Sequence, residues 1–347
     1  MRFSVIIVNT NEGAVLFECL ERIFQAGRPF STIVVDNAST DGSPERIERE
    51  HPWVELVRSQ TNLGYAGANN LGARRATGDI LIMLNPDAFV EPGWLEPVAL
   101  RFADPAVAAV GPRIYRGRAG ETLDSAGGDI EFPVGDAPGR GYLQRFGPAY
   151  AQPEDVAYLS GAAFAIRADV FRTAGGFDES FFCYYEETDL CWRVRMMGLR
   201  CVYEPASIVR HLGSFTFGGA SPRKVTLQTR NRIRACLQNL NAANALRFLI
   251  AEAVVGTGVI LAASALARHR PYAGAYLRAW GEVIAALPMT LSTRARRQRQ
   301  RTVPDRVVLA LHRRVPISAV IRRYARFARY GGDALFADGI GAATVAE

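Results

Sequence analysis

Cysteine and histidine are scarce in this chain of 347 residues, with five and four copies. No two cysteines form a CxxC pair and no histidine stands at zinc spacing from them, which argues against both a disulfide framework and a thiolate zinc site. No GxGxxG follows the early apolar strands, so a dinucleotide site is disfavoured. The most apolar stretch, Leu246 to Ala267, is broken by Arg247 and Glu252, leaving less than the roughly 20 uncharged residues a spanning helix needs. Internal repeats are absent. The N-terminus runs straight into Phe3-Ser4-Val5-Ile6-Ile7-Val8 with no basic lead or small-residue cleavage site, and is expected to be a first strand rather than a signal peptide. A reduced, cytoplasmic protein is expected.

What is present is a globular composition, 49% hydrophobic and 22% charged, with charge distributed unevenly. Residues 1–224 hold 22 Lys and Arg against 28 Asp and Glu, and residues 225–347 hold 19 against 6, so the net +7 belongs wholly to the C-terminal third. Apolar β-branched runs alternate with helix-like segments from Val5 to Val110, which predicts a doubly wound α/β sheet of parallel strands with ligands at their carboxyl ends. The Gly- and Pro-rich stretch from Tyr115 to Tyr158 is expected to be a long irregular excursion over the site. Two regions follow: an α/β domain over 1–224 and a basic, helical region over 225–347. In the latter, the apolar run and the cluster Arg294-Ala295-Arg296-Arg297-Gln298-Arg299-Gln300-Arg301, then Arg313, Arg314, Arg322, Arg323, Arg326 and Arg329, have the composition of a segment lying on an anionic membrane surface. Basic clusters also bind nucleic acid, but no reading motif accompanies them, and no specific nucleic acid is expected.

Polar residues gather where the strands end. Asn9-Thr10-Asn11 and Asp36-Asn37 can grip a base and ribose, Asp36 accepting a hydrogen; the competing reading is an Asx turn and a helix cap. Asn62-Leu63-Gly64-Tyr65-Ala66-Gly67-Ala68-Asn69-Asn70 opens a helix whose amides can face an anion. Asn85-Pro86-Asp87 ends an apolar strand. There Asp87 can bind Mg²⁺ or Mn²⁺ beside a diphosphate and waters, or cap the next helix. Glu186, Glu187 and Asp189 start a helix whose dipole favours carboxylates. They follow Phe181-Phe182-Cys183-Tyr184-Tyr185, an aromatic run suited to sugar faces. His211, after a strand, is either structural or a further metal ligand.

Together these motifs resemble the inverting family 2 glycosyltransferases of GT-A fold, in particular rhamnosyltransferase-like members, over roughly residues 3–240. The resemblance rests on Val34-Val35-Asp36-Asn37-Ala38-Ser39-Thr40-Asp41, on Asn62 to Asn70, on Leu84-Asn85-Pro86-Asp87, and on Tyr185-Glu186-Glu187-Thr188-Asp189-Leu190-Cys191-Trp192-Arg193. It implies that Asp36 contacts the base, that Asp87 and His211 hold the divalent metal, and that Glu187, with Glu186 second, is the catalytic base. Two positions depart from the family pattern: Asn85 replaces the first acid of the metal motif, and Glu186-Glu187 replaces Glu-Asp. The implied donor is a nucleotide sugar, with dTDP-rhamnose preferred, and the acceptor a lipid-linked saccharide or surface polysaccharide at the inner face of the cell membrane. The alternative is a basic phosphate-binding protein that keeps a catalytically idle GT-A fold. The sequence leaves the oligomeric state open, a dimer included.

Overall fold

The computed structural model describes residues 1–27, 30–213, 221–265 and 270–322, with the side chains of 259–265 excepted. The first half alternates strand and helix: β1 (Phe3–Asn9), α1 (Gly13–Gln25), β2 (Phe30–Asn37), α2 (Ser43–Glu50), β3 (Val54–Ser59), α3 (Gly64–Arg75), β4 (Ile80–Leu84), β5 (Ala88–Val90), α4 (Leu95–Arg101) and β6 (Val107–Arg116). Then come β7 (Leu123–Ser125), β8 (Glu131–Phe132), β9 (Glu154–Asp155), β10 (Ala163–Arg167), α5 (Ala168–Thr173), α6 (Glu186–Met196) and β11 (Arg200–His211). The C-terminal part is helical, with α7 (Pro222–Asn239), α8 (Ala242–Ala265), α9 (Arg270–Ala285), α10 (Leu287–Gln300), the single turn α11 (Asp305–Val308) and a last short strand β12 (Arg313–Arg314).

The strands read as continuous apolar runs because both sheet faces are covered. Along β1, Val5 and Ile7 pack with Val15, Leu16 and Leu20 of α1, whereas Ile6 packs with Ala66, Ala68 and Ala73 of α3. Close approach explains Gly72 on α3: a Cβ there would lie 2.5 Å from Ile6 Cγ2.

The sheet order is β3-β2-β1-β4-β10-β6-β11-β5. Four strands, β3 to β4 in that order, are parallel, as the alternation predicts. The expectation of parallel strands throughout is corrected beyond them, because β10 runs antiparallel between β4 and β6, and β5 runs antiparallel to β11. The register gathers Asn9, Asp36 and the residue after Leu84 at one edge of the sheet. Ala163 begins β10 opposite Leu84, and His211 ends β11 opposite Ala88. Five chain segments therefore reach one edge.

The segment 115–158 is largely irregular, as its composition suggests, with only the short strands β7, β8 and β9 and one 3-10 turn, but it is packed rather than loose. Leu123, Ala126, Ile130, Val156 and Ala157 are buried in the main core. Gly128 is there because the backbone packs on the Tyr158 ring, where a Cβ would overlap Cε1. The expected domain boundary at 224/225 falls in the first turn of α7, which packs on α6, α9 and α10. No helix among the described residues is long and apolar enough to cross a membrane.

Candidate active site

The sheet edge and the start of α6 enclose a cleft of about 310 Å³. One wall carries Thr10, Glu12, Asn37, Asn62 and Gly64. Asn85, Asp87 and His211 stand together on the wall with Ser160, Gly161 and Ala162, and Phe182, Cys183, Tyr184, Glu186 and Glu187 complete it.

Asp87 and His211 meet because β5 and β11 are paired. Asp87 Oδ1 lies 3.3 Å from His211 Nε2, and the other ring nitrogen, Nδ1, lies 2.8 Å from Asp124 Oδ2. Asn85 Nδ2 stands 3.5 Å from His211 Nε2. Burial alone would lower the histidine pKa, but Asp124 and Asp87 outweigh it and bring it up to about 10. Among the described residues no group of three His, Cys, Asp or Glu forms a metal cage. Two protein donors still suit Mg²⁺ or Mn²⁺, which take phosphate oxygens and waters for the rest of their shell. A carboxylate on Nδ1 is the support that orients a metal-binding imidazole through its other nitrogen. The residues present fit a divalent ion that shares its shell with a ligand, and its binding at Nε2 would release the imidazole proton.

Glu186 and Glu187 differ from every acid around them. Each has a buried Oε2 with no hydrogen-bond partner in the protein, an unusual state for a native polar group. Burial raises the Glu187 pKa to about 7, against the opposing pull of its own amide and that of Thr188. Glu186 is pushed up by burial first and then by the neighbouring Glu187 charge. Two acids whose environments push them to different degrees can divide one proton between them.

Asp189, expected as a third site acid, is corrected to a structural role. It is fully buried off the cleft wall, and its carboxylate accepts from Arg193 Nε at 2.9 Å, Arg297 Nη1 at 2.5 Å and Asn239 Nδ2 at 2.8 Å. Burial alone would raise its pKa, yet Arg297, Arg193 and Asn239 together hold it below the usual carboxylate value.

The expected nucleotide residues also divide. Thr10, Asn37, Asn62, Gly64 and Asn85 are on the cleft wall, whereas Asn9, Asn11, Asp36, Gly67 and Asn69 are not. Asn9 is fully buried and its amide donates to Ser43 at 2.7 Å and Ser39 at 3.1 Å, fixing the turn after β2. Asp36 accepts the Ser39 amide at 3.2 Å, the Asx turn held open as its other reading, and Asn11 accepts the Thr40 amide at 2.7 Å. Asn69 donates to the Tyr65 carbonyl at 3.0 Å, and Gly67 faces Leu63, the residue that precedes its helix.

Three of the amides expected to face an anion at the start of α3 are already engaged. Leu63 N–H donates to Asn37 Oδ1 and Gly64 N–H to Asn62 Oδ1, both at 2.8 Å, and Ala66 N–H donates to the Phe182 carbonyl at 3.1 Å. Gly64 is required for a different reason. Its φ is +69°, and a Cβ would sit 2.3 Å from that same carbonyl.

Residues 4–175 match the family model described as glycosyl transferase family 2. Over 208 residues the chain is 32% identical to the N-acetylglucosaminyl-diphospho-decaprenol L-rhamnosyltransferase of Mycobacterium tuberculosis, covering 53% of this chain and 67% of that protein. The chain belongs to glycosyl transferase family 2. It is also 31% identical over 201 residues to the pre-mycofactocin glycosyltransferase of the same species, spanning 55% of this chain and 39% of that longer protein. The mannosyltransferase PcManGT from Pyrobaculum calidifontis, solved with GDP-Man and Mn²⁺, shares the fold at a TM-score of 0.52 and 20% identity, over 95% of this chain and 87% of that one.

For a family 2 chain, three features of the site are not announced by its motifs. Asp124, which fixes His211, comes from the segment whose Gly and Pro content hid its packing. Tyr65 lies within the Asn62 to Asn70 motif, which gave it no role; it lines the cleft and donates through its hydroxyl to the Gly161 carbonyl at 2.7 Å. Asn231 of α7 donates to the carbonyls of Phe181 at 3.0 Å, Cys183 at 3.0 Å and Tyr184 at 2.7 Å. That clamp holds a turn in which Phe182, Tyr184 and Tyr185 have φ of 66°, 70° and 74°. Left-handed non-glycine residues cost energy and persist only where their surroundings enforce them. The aromatic run is thereby split: Phe182 and Tyr184 face the cleft, while Phe181 and Tyr185 pack inward against Ala235.

Proposed function

We propose that this family 2 member is an inverting glycosyltransferase that moves a sugar from a nucleotide diphosphate donor to an acceptor hydroxyl. The observation that carries the reading is the Glu187 carboxylate, partnerless at its buried oxygen and raised to about 7, on the same cleft wall as Asp87 and His211. A base with a pKa near the working pH combines sufficient ionisation with sufficient proton affinity. Glu187 takes the proton of the acceptor hydroxyl as that oxygen attacks the anomeric carbon from the face opposite the leaving diphosphate, so the configuration inverts. Glu186, pushed further up by burial and by Glu187, keeps its proton and leaves Glu187 to titrate. Thr10, Asn37 and Asn62 offer polar groups to the nucleoside, with Asp36 behind them setting the turn. Asp87 and His211 would hold Mg²⁺ or Mn²⁺, which when bound supplies positive charge to the departing diphosphate.

The rhamnosyltransferase relative supports an activated rhamnose such as dTDP-rhamnose as donor and a lipid-linked saccharide as acceptor, taken at the inner, anionic face of the cell membrane. The basic composition beyond residue 224 supports that location. The purified chain should be incubated with a panel of nucleotide sugars, with and without Mn²⁺, while nucleotide diphosphate release and the anomeric configuration of the product are followed. Metal-stimulated release from a pyrimidine-linked sugar with inversion is the expected result. Absence of turnover across the panel, with no thermal protection by any nucleotide sugar, would leave the fold as an idle scaffold.

A further inference from the structure

A second cavity, of about 640 Å³, lies where the start of α8 meets α11 and the chain around β12. Arg247, Arg306 and Arg314 line it, and all three are exposed. Among the described residues no carboxylate comes within ion-pair distance of any of them; the contact recorded for Arg247 is a 3.1 Å bond to Asn244 Oδ1. Asp305, also on the wall, is already taken: it pairs with Arg301 and accepts from the Asn241 amide at 2.8 Å and from Asn244 Nδ2 at 2.9 Å. Three guanidinium groups around one cavity without a counterion repel one another, and an anion with several oxygens relieves that repulsion through paired hydrogen bonds.

The neighbouring surface indicates what carries the anion. Ten of the thirteen exposed large apolar side chains among the described residues lie beyond residue 240. Leu246, Ile250 and Val254, at 59%, 58% and 49% exposure, form one stripe at i, i+4 and i+8 on α8, and Arg247 directly follows the first of them. The acids of residues 242–322, Glu252, Glu282 and Asp305, are each engaged by an arginine. An apolar stripe beside unneutralised arginines, with no unpaired acid nearby, complements an anionic lipid surface. We propose that the Arg247, Arg306 and Arg314 cavity seats the phosphate headgroup of an anionic membrane lipid, with the Leu246, Ile250 and Val254 stripe resting against its acyl chains. The inference rests on the membrane-surface part of the proposed function and names the site responsible.

The test is flotation of the full chain with phosphatidylcholine vesicles prepared with and without phosphatidylglycerol. Wild type should float with the anionic vesicles, and R247Q/R306Q/R314Q should lose binding by on the order of 100-fold. R296Q/R299Q, which removes exposed charges from α10, should change it by less than about 5-fold. Equal losses in the two variants, or wild-type binding by the triple variant, would overturn a discrete headgroup site. A rise in melting temperature with inorganic phosphate but no flotation would make the cavity a free-phosphate site and overturn the lipid assignment. Nucleotide-sugar turnover, measured on the same preparations, separates the two readings. Wild-type protein that turns over but does not float with anionic vesicles removes this inference alone, and headgroup-dependent flotation of wild type without turnover removes the transferase reading alone.

Discussion

In the first turn of α6, Glu186 and Glu187 turn carboxylate oxygens without partners into a cleft, whereas Asp189, two residues on, is held by Arg193, Arg297 and Asn239. The same contrast separates the two larger regions. The α/β layer leaves its strand-end acids at a site with room for a ligand, and the helical region places arginines inside the protein. Arg297 reaches Asp189 and Asp178, Arg232 makes two bonds to Glu252, and Arg294 donates to the carbonyls of Leu237 and Leu240. A buried charge lacking a counter-charge is costly, so it marks a place where something else is to bind. A paired one marks a joint between elements.

The largest effect should come from the unpaired side of that contrast. Glu187→Gln keeps the shape of the side chain but cannot accept the acceptor proton, so turnover should fall by roughly 10²-fold to 10⁴-fold with donor affinity nearly unchanged. Glu186→Gln should cost less. Initial rates and donor titrations on both variants check this, and near-normal turnover by Glu187→Gln beside a collapse in Glu186→Gln would transfer the role of base to Glu186. On the paired side, Arg297→Ala leaves the buried Asp189 with Arg193 and Asn239 alone and should destabilise the fold by about 3 kcal/mol, the lower end for breaking a buried pair. Urea unfolding measures it, and adding Asp189→Asn should recover part of the loss. If Arg297→Ala unfolds at the wild-type midpoint, the helical region is not joined to α6 through this pair.

Much of the α/β half was legible because period and position coincide there. Apolar runs gave the strands, and polar residues directly after them gave the cleft wall at Thr10, Asn37, Asn62, Asn85 and Asp87. Less visible was the direction of each side chain. Asn9 and Thr10 are adjacent on one strand end and point oppositely, so Asn9 supports a turn while Thr10 lines the cleft. The arginines of 294–301 misled for a related reason. A helix turns by about 100° per residue, so the cluster that reads as one basic face puts Arg294 and Arg297 into the protein and leaves Arg296 and Arg299 outside. Arg323, Arg326 and Arg329 lie outside the described residues. Asp124 and Asn231 had no local signal at all, since their partners lie 87 and about 50 residues away.

Asn231 allows the two regions to be tested against each other, because a helical-region residue supports a turn of the cleft. Asn231→Ala removes the donors that fix Phe181, Cys183 and Tyr184, so the left-handed residues before Glu186 should relax. A displacement near 1 Å at the base can cost up to about 10²-fold in rate. Turnover should therefore drop while the melting temperature moves only a few degrees. A variant with full turnover would show that α7 merely covers the cleft.

The smallest effect is the pH response, and its sign distinguishes the two kinds of acid. The folded pKa of Glu187, raised to about 7 from 4.5, means that the native state holds its proton more tightly than the unfolded chain. Its contribution to stability is complete below about pH 4.5 and is lost as pH rises through 7. Catalysis runs the other way, since the ionised form is the base. Turnover at saturating donor should rise about tenfold per pH unit below 7 and level off above it. Asp189, held low, gives the opposite stability trend: its contribution is present above its unfolded pKa near 3.8 and disappears only as pH falls through its lower folded value. Between pH 5 and 8 it should not respond. A rate profile flat from pH 6 to 8, measured where the fold is intact, would show that no group near 7 controls the chemistry and would remove Glu187 as the base.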